Sequence, residues 1–309
     1  MNRVVLTVPA STTNLGSGFD ALGLALTLRN RFLLEETPSQ GSIEVVGEGS
    51  EFIPRDGSNL VLQAAHRLYR SQGKTPPGLH IRQENHIPRC GGLGSSASAI
   101  IAGLVGANSL CGEPLSRDEI LPMALDLEGH PDNVVPALYG GFTISALVDG
   151  QVAWLRASFP PDLRCVVALP DLTWSTAEAR QVLPVQVPRS DAVFNVQRVS
   201  LLLGALFAGQ HDLLRTGMAD RLHQPYRAKH LSYLEEVCRQ ALEAGAWGTC
   251  LSGAGTSVLA LASTCEEEIG KAMCRALSNH GIGSRFLVLE MDPCGAQLHV
   301  PSSSEGGLE

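Results

Sequence analysis

The sequence predicts an α+β protein of two units, residues 1–158 and 159–309, and three observations carry that prediction. A strand-like segment, Leu79 to Gln83, leads through a glycine-rich loop into an Ala-rich run from Ala97 to Ala107 that is apolar on all faces and reads as a buried helix. The Phe159-Pro160-Pro161-Asp162 break interrupts both periodicities and marks the boundary. Beyond it the segments run strand, helices, two strands, helix, strand, the order of a split βαβ or ferredoxin-like domain. At 309 residues the chain can build two cores.

Each element follows from a local signal. Val4 to Val8, the mostly apolar Gly23 to Leu34, and Ser42 to Val46 read as strands. Asn59 to Gln72 has helical spacing, with Leu60, Ala64, Ala65 and Leu68 on one face. Ser116-Arg117-Asp118-Glu119 is a capping-box pattern that starts a helix running to Glu128, where Gly129-His130-Pro131 stops it. Gly140-Gly141-Phe142 opens a strand pair, Thr143 to Leu147 and Val152 to Leu155. After the boundary come a strand from Arg164 to Ala168 and helices over Asp191 to Phe207, His211 to Leu222 and Lys229 to Ala244. Strands Trp247 to Leu251 and Ser257 to Ala262, a helix from Cys265 to His280 and a strand from Ser284 to Glu290 follow. The Ser/Gly-rich tail from Pro301 to Glu309 is expected to be mobile.

Composition removes several function classes. A net charge of -8 argues against a nucleic-acid or anionic-membrane partner. No apolar run approaches the roughly 20 residues of a membrane span, and Met1 to Leu6 enters a strand without the shape of a signal peptide. The eight cysteines form no Cys-x-x-Cys pair and lie mostly in apolar segments, as expected of reduced core thiols in a cytoplasmic protein.

The loop Pro88 to Ser98 holds Gly91, Gly92 and Gly94 with Ser95 and Ser96 at the start of the helix. Backbone N–H groups freed of side chains, and the positive end of a helix, form a cradle for phosphate. Ser95 follows Gly94 where a Walker A loop needs Lys. Gly92 to Ala97 satisfies the Gly-x-Gly-x-x-Ala variant of the dinucleotide fingerprint, but its acidic partner would be Glu113, in a turn rather than at a strand end. A tight strand-to-helix turn explains such a loop equally well in isolation.

Three further clusters bear on this. Pro9 to Asp20 is dense in small polar residues, and Asn14 and Asp20 suit a polar ligand, Asp20 an ammonium; an ornate turn is the plain alternative. Glu128-Gly129-His130-Pro131-Asp132-Asn133 gathers two carboxylates, an imidazole and an amide, matching the one or two carboxylates Mg²⁺ takes beside phosphate oxygens, or else a helix-ending turn. Arg180 and Arg227 would clamp a carboxylate or phosphate if they converge, and are ordinary surface arginines if they do not. Leu251 to Val258 is a second Gly/Ser turn between strands.

Taken in order, these segments resemble the GHMP kinases (galactose, homoserine, mevalonate and phosphomevalonate kinases), and within them the branch acting on homoserine. Pro9 to Leu26 resembles the first motif, Pro88 to Ser98 the ATP loop, Glu128 to Phe142 the segment after the partner helix, and Leu251 to Val258 the third motif. Thr256 stands where these enzymes often carry Pro and Ser98 where they often carry Ala, and the Glu128 to His130 spacing is the short form. The resemblance implies a GHMP kinase fold, with an N-terminal domain of left-handed βαβ kind, a ferredoxin-like C-terminal domain and the site between them.

It also implies an activity: MgATP-dependent phosphorylation of L-homoserine to O-phospho-L-homoserine, a step of threonine biosynthesis. By the resemblance, Asn59 lies near adenine, and Pro88, Arg89, Cys90, Gly91, Gly92, Leu93, Gly94, Ser95, Ser96, Ala97 and Ser98 bind ATP. Ser96 and Glu128 would hold Mg²⁺, Asn14, Asp20, His130 and Asn133 would surround the ammonium and hydroxyl, and Arg180 and Arg227 would bind the carboxylate. Thr176 lies near the transferred phosphate, and Asn133 stands where related kinases place an Asp base, which implies transfer without a strong side-chain base. Relatives are often dimers, but the sequence carries no interface signal, so a homodimer is one option and the oligomeric state stays open. The competing readings are a GHMP kinase for another small alcohol, which Asp20 disfavours, a non-catalytic nucleotide sensor of the same fold, and a Rossmann oxidoreductase, which leaves three motifs unexplained.

Overall fold

Two β-sheets, traced in a computed structural model that describes residues 2–299, organise the chain. The expected mobile tail, Pro301 to Glu309, lies outside the described residues. In chain order the elements are β1 (Arg3–Thr13), β2 (Leu22–Thr37), β3 (Ser42–Gly47), α1 (Leu60–Ser71), β4 (Gly78–Asn85), α2 (Ser95–Leu110), α3 (Arg117–Glu128) and α4 (Pro131–Tyr139). There follow β5 (Phe142–Val148), β6 (Gln151–Ala157), β7 (Arg164–Pro170), α5 (Thr176–Gln181), α6 (Arg189–Ala208), α7 (Leu214–Gly217) and α8 (Gln224–Arg227). The chain closes with α9 (Leu234–Glu243), β8 (Gly248–Leu251), β9 (Val258–Ala262), α10 (Glu266–Asn279), β10 (Ser284–Leu289) and β11 (Gln297–His299).

The first sheet runs β11-β1-β2-β4-β3, with the β5–β6 hairpin paired to the opening of β2 at Leu22 to Leu24. β3 and β4 are parallel, joined through α1, and the other pairs are antiparallel. The second sheet is antiparallel in the order β10-β7-β9-β8. Numbered within that unit the order is 4-1-3-2, the ferredoxin-like arrangement. β11 was not foreseen: three residues near the end of the described chain return to pair Val5 to Thr7 in the first sheet.

α2 is sheathed by its neighbours because its glycines admit them. A Cβ on Gly103 would stand 2.3 Å from the Val61 carbonyl oxygen of α1, and one on Gly106 would meet the Leu34 side chain. The capping box forms as expected: Ser116 Oγ accepts from Glu119 N–H at 3.3 Å and Glu119 Oε2 from Ser116 N–H at 2.8 Å. α4 was not expected beyond the Glu128–Asn133 turn; Pro131 at its first turn has the φ that starts a helix. The helix expected over His211 to Leu222 stops at Gly217, since the Asp220 carboxylate takes the next free amides, those of Leu222, His223 and Gln224.

One apolar cluster lies between the first sheet and α1 to α4. A second mixes Leu22 and Leu24 of β2 with Val167 and Leu259 of the other sheet and Leu202 of α6. A third sits between the second sheet and α9 and α10. The middle cluster seats the two sheets on each other. α6 is, by length and composition, apolar enough to cross a membrane, contrary to the expectation that no segment is. It buries Leu202, Ala205 and Leu206 in that cluster and Asn195 against loop backbone. All eight cysteines are free thiols; Cys165 and Cys250 are buried in the core, as expected, whereas Cys265 and Cys294 are exposed.

Candidate active site

A cleft of about 410 Å³ opens along the glycine loop and continues past the end of β1 to α5 and α8. Three segments far apart in sequence are stitched together at its floor. Ser11 N–H donates to the Leu93 carbonyl at 3.1 Å, Ser252 Oγ donates to the Gly92 carbonyl at 2.7 Å, and Thr12 Oγ1 and Ser252 Oγ share a bond at 2.9 Å. Gly92 and Gly94 have φ of +70° and +68°, and a Cβ on Gly92 would sit 2.1 Å from the Ser252 carbonyl oxygen. Only glycine fits both demands. Gly94 caps α2 without a side-chain bond and the first turn holds no acid, so the amides and positive end of the helix address the cleft.

At that helix end Ser96 Oγ donates to Glu128 Oε1 at 2.7 Å. Burial pushes the Glu128 carboxyl up, and the Ser96 bond pulls it partly back. A half-buried carboxylate and a hydroxyl at a helix N-terminus are hard oxygen donors of the kind Mg²⁺ takes. Among the described residues no cluster of three or more His, Cys, Asp or Glu offers a self-contained metal cage.

The other end of the cleft is built for opposite charges. Phe19, partly buried, is the hinge of that arrangement: the Arg180 and Arg227 guanidiniums lie 5.7 and 5.6 Å from its ring centre. Arg180 comes from the last turn of α5, whose own capping box is Ser175 and Glu178, and Arg227 from the last turn of α8. The two arginines therefore converge. Asp20 accepts from both Arg180 nitrogens, and its backbone N–H is held by Asn14 Oδ1 at 2.9 Å. Burial and Arg180 lower the His130 pKa, and Asp20 raises it. Burial, then Arg180, brings the Arg227 pKa down to about 10. Asn133 Oδ1 accepts from Ser11 Oγ at 2.8 Å, which turns its Nδ2 amide away as a donor.

The cleft brings together Asn14, Asp20, Asn59, Pro88 to Ser96, Glu128, His130, Asn133, Thr176, Arg180 and Arg227. Two expected ATP residues, Ala97 and Ser98, are fully buried inside α2 and do not line it. One further expected ATP residue, Asn59, and one expected substrate residue, Asn14, are engaged by the protein. Asn59 caps α1 and its Oδ1 also accepts from Gln83 Nε2 at 3.0 Å, while Asn14 Nδ2 donates to the Gly253 carbonyl at 3.0 Å. Sequence reasoning missed Phe52, whose ring carries the Arg89 guanidinium at 5.6 Å at the mouth, for want of any motif around it. It also gave no role to Phe19 and counted Asp132 only among the candidate carboxylates of its turn, although both line the cleft.

Comparison with known proteins follows the same line. The family model described as GHMP kinases N terminal domain matches residues 59–141, and GHMP kinases C terminal matches residues 202–281. The chain is 46% identical over 303 residues to a homoserine kinase of Synechococcus sp. (strain CC9605), covering 95% of each. It is 42% identical over 303 residues to a homoserine kinase of Carboxydothermus hydrogenoformans, covering 98% of this chain and 99% of that one. The crystal structure of homoserine kinase from Cytophaga hutchinsonii superposes with a TM-score of 0.88 at 29% identity, over 97% of this chain and 98% of that one. The Methanococcus jannaschii mevalonate kinase shares the fold, with a TM-score of 0.69 at 17% identity over 93% and 98% of the two chains.

Proposed function

The chain belongs to the GHMP kinase family, and from that premise we propose that it transfers the γ-phosphoryl group of ATP to the side-chain hydroxyl of L-homoserine. The products are O-phospho-L-homoserine and ADP. The observation that carries this reading is the convergence of Arg180 and Arg227 on the Phe19 ring with Asp20 beside them, at the open end of the phosphate loop. A small zwitterion needs one anion for its ammonium and cations for its carboxylate, and this end of the cleft supplies both.

In this reading the amides of Gly91 to Ser96 and the start of α2 hold the ATP phosphates. Ser96 and Glu128 would hold Mg²⁺, which when bound offsets phosphate charge. Thr176, first residue of α5, faces the transferred group. Asn133 Nδ2 donates to the substrate hydroxyl oxygen and aims it at the γ-phosphorus. The new O–P bond forms as the bridging O–P bond to ADP breaks, and the hydroxyl proton passes to a phosphoryl oxygen. No side-chain base is required. Asp132, the carboxyl beside Asn133, lines the cleft with its Oδ1 buried and without a hydrogen bond, and the Thr13 side chain bonds the carboxyl.

ADP release from MgATP, measured in parallel with L-homoserine, L-serine, L-threonine, shikimate and mevalonate, tests the reading. Turnover confined to homoserine is expected. Turnover with an acceptor lacking an ammonium would move Asp20 out of the pocket's logic, and ATP binding without any turnover would favour a sensor.

A further inference from the structure

We infer that His223 is a positioning residue of the substrate clamp: its uncharged ring fixes the Arg227 guanidinium so that one nitrogen, Nη2, is left for the substrate carboxylate. This rests on the proposal that Arg227 binds that carboxylate.

His223 is wholly buried. Its Nε2 lies 2.9 Å from the Gly16 carbonyl oxygen, and its Nδ1 lies 3.0 Å from Arg227 Nη1. A carbonyl only accepts, so Nε2 carries the proton; a guanidinium only donates, so Nδ1 offers a lone pair. Both neighbours thus demand the same neutral tautomer. The charged groups acting on the ring are Asp220, with Oδ2 at 3.5 Å from Nε2, Arg227 and Asp20. Burial dominates these charges and brings the imidazole down to about 4, so it stays neutral near pH 7.

The rest of the Arg227 fork is equally committed. Nη1 also donates to the Gly253 carbonyl at 3.0 Å, and Nε donates to the Ala179 carbonyl at 3.2 Å. Nη2 has no protein partner among the described residues, although Arg227 is only 1% exposed. The Phe19 ring, which touches both arginines, stacks on His223 at 4.9 Å with 21° between planes. Asp220 fixes the backbone below by accepting from the amides of His223 and Gln224 at 3.0 and 2.7 Å, placing His223 and Arg227 four residues apart on one side of α8. His223 touches no position a substrate can take; it acts through Arg227.

Two amide variants separate this role from plain support of the loop at Gly16. Asn places an acceptor where Nδ1 stands and cannot reach Gly16; Gln places a donor where Nε2 stands and offers Arg227 nothing. With wild-type turnover of homoserine established, His223→Gln should raise KM for homoserine about tenfold while kcat and KM for ATP stay within about twofold. His223→Asn should keep KM for homoserine within about threefold. The reverse order, or no change in either, would overturn the inference while leaving the kinase reading intact. Absence of wild-type homoserine turnover would remove both. Should neither variant fold, ¹⁵N-histidine spectra of the wild-type protein at about pH 7 must show His223 with Nδ1 unprotonated; a protonated Nδ1 would overturn the assignment.

Discussion

Asp20 and Arg180, 160 positions apart in sequence, meet in a two-pronged ion pair, with Nη2 2.7 Å from Oδ1 and Nη1 3.1 Å from Oδ2. About a third of each side chain is exposed, so the pair contributes little to stability. Its significance lies in what can replace it. An incoming zwitterion presents an ammonium to Asp20 and a carboxylate to Arg180, and a ligand with one charge alone leaves one partner uncompensated. Asp20→Asn and Arg180→Leu should each raise KM for homoserine about tenfold or more, leaving KM for ATP nearly unchanged. The double variant should lose less than the product of the two, because the residues share one interaction. Steady-state kinetics in both substrates decide it; an effect confined to ATP would remove these residues from the substrate end.

Gly92 is where the phosphate loop touches the turn after β8. An added Cβ would overlap the Ser252 carbonyl, and the +70° φ resists any side chain. Gly92→Ala should therefore push the loop off that turn, destabilise the fold by about 1–3 kcal/mol and weaken ATP binding about tenfold or more. Urea unfolding and ATP titration report the two effects separately. Normal ATP affinity in the folded variant would show that the loop's contact with Ser252 is irrelevant to the nucleotide.

What the sequence made legible was carried by local signals. The capping box at Ser116, the glycines ahead of an all-apolar α2 and the succession of strands and helices after the Pro160-Pro161 break each depend on residues close together in the chain. The rest depends on partners no local pattern names. β11 has three residues, too few for a periodic signal, and is held by its pairing with β1. The His211 to Leu222 helix was overrun because the spacing of its apolar residues takes no account of Asp220, whose carboxylate competes for the amides that would have extended it. At the site, residue types were readable and pairings were not: that Asp20 would close on Arg180, or that Arg227 would lean on His223, required the fold.

Glu128 offers a test of the metal assignment. Glu128→Gln keeps the shape and removes the charge that would attract Mg²⁺. The Mg²⁺ concentration for half-maximal rate should rise about tenfold, with KM for homoserine little changed. A magnesium titration at saturating ATP checks it, and an unchanged requirement would move the metal off Glu128.

Asp132 couples stability to pH. It is 3% exposed, and burial, with Asp20 adding to it, pushes its carboxyl from 3.8 up to about 7. Between those values the folded protein holds a proton that the unfolded chain has released. Stability attributable to this residue must therefore be full below pH 4 and fall as pH rises to about 7. Asp132→Asn removes that slope, so its stability relative to wild type should improve steadily across the interval. Urea midpoints at matched pH values measure the difference. The same variant should keep kcat within about threefold, since the proposed transfer uses no side-chain base; loss of turnover in a stable variant would make Asp132 the base and end the base-free mechanism.

Asn133 carries the last prediction. Ser11 Oγ occupies its Oδ1, so what it can offer a substrate is the Nδ2 donor, and a donor can orient a hydroxyl oxygen or stabilise a phosphoryl oxygen but cannot take a proton. Asn133→Ala should lower kcat about tenfold to a hundredfold with ATP affinity unchanged. Asn133→Asp is the sharper variant. It supplies a carboxylate, the base that transfer in this protein is proposed to do without, yet it removes the donor and sets a negative charge beside the phosphates. If alignment is what the residue contributes, Asn133→Asp should be at least as slow as Asn133→Ala. If proton removal limits the reaction, it should be faster than the alanine variant, with a rate that rises as the new carboxylate ionises. Single-turnover rates for both variants between about pH 5 and 8 separate the two, because a carboxylate titrates at the lower end of that range and an alanine does not.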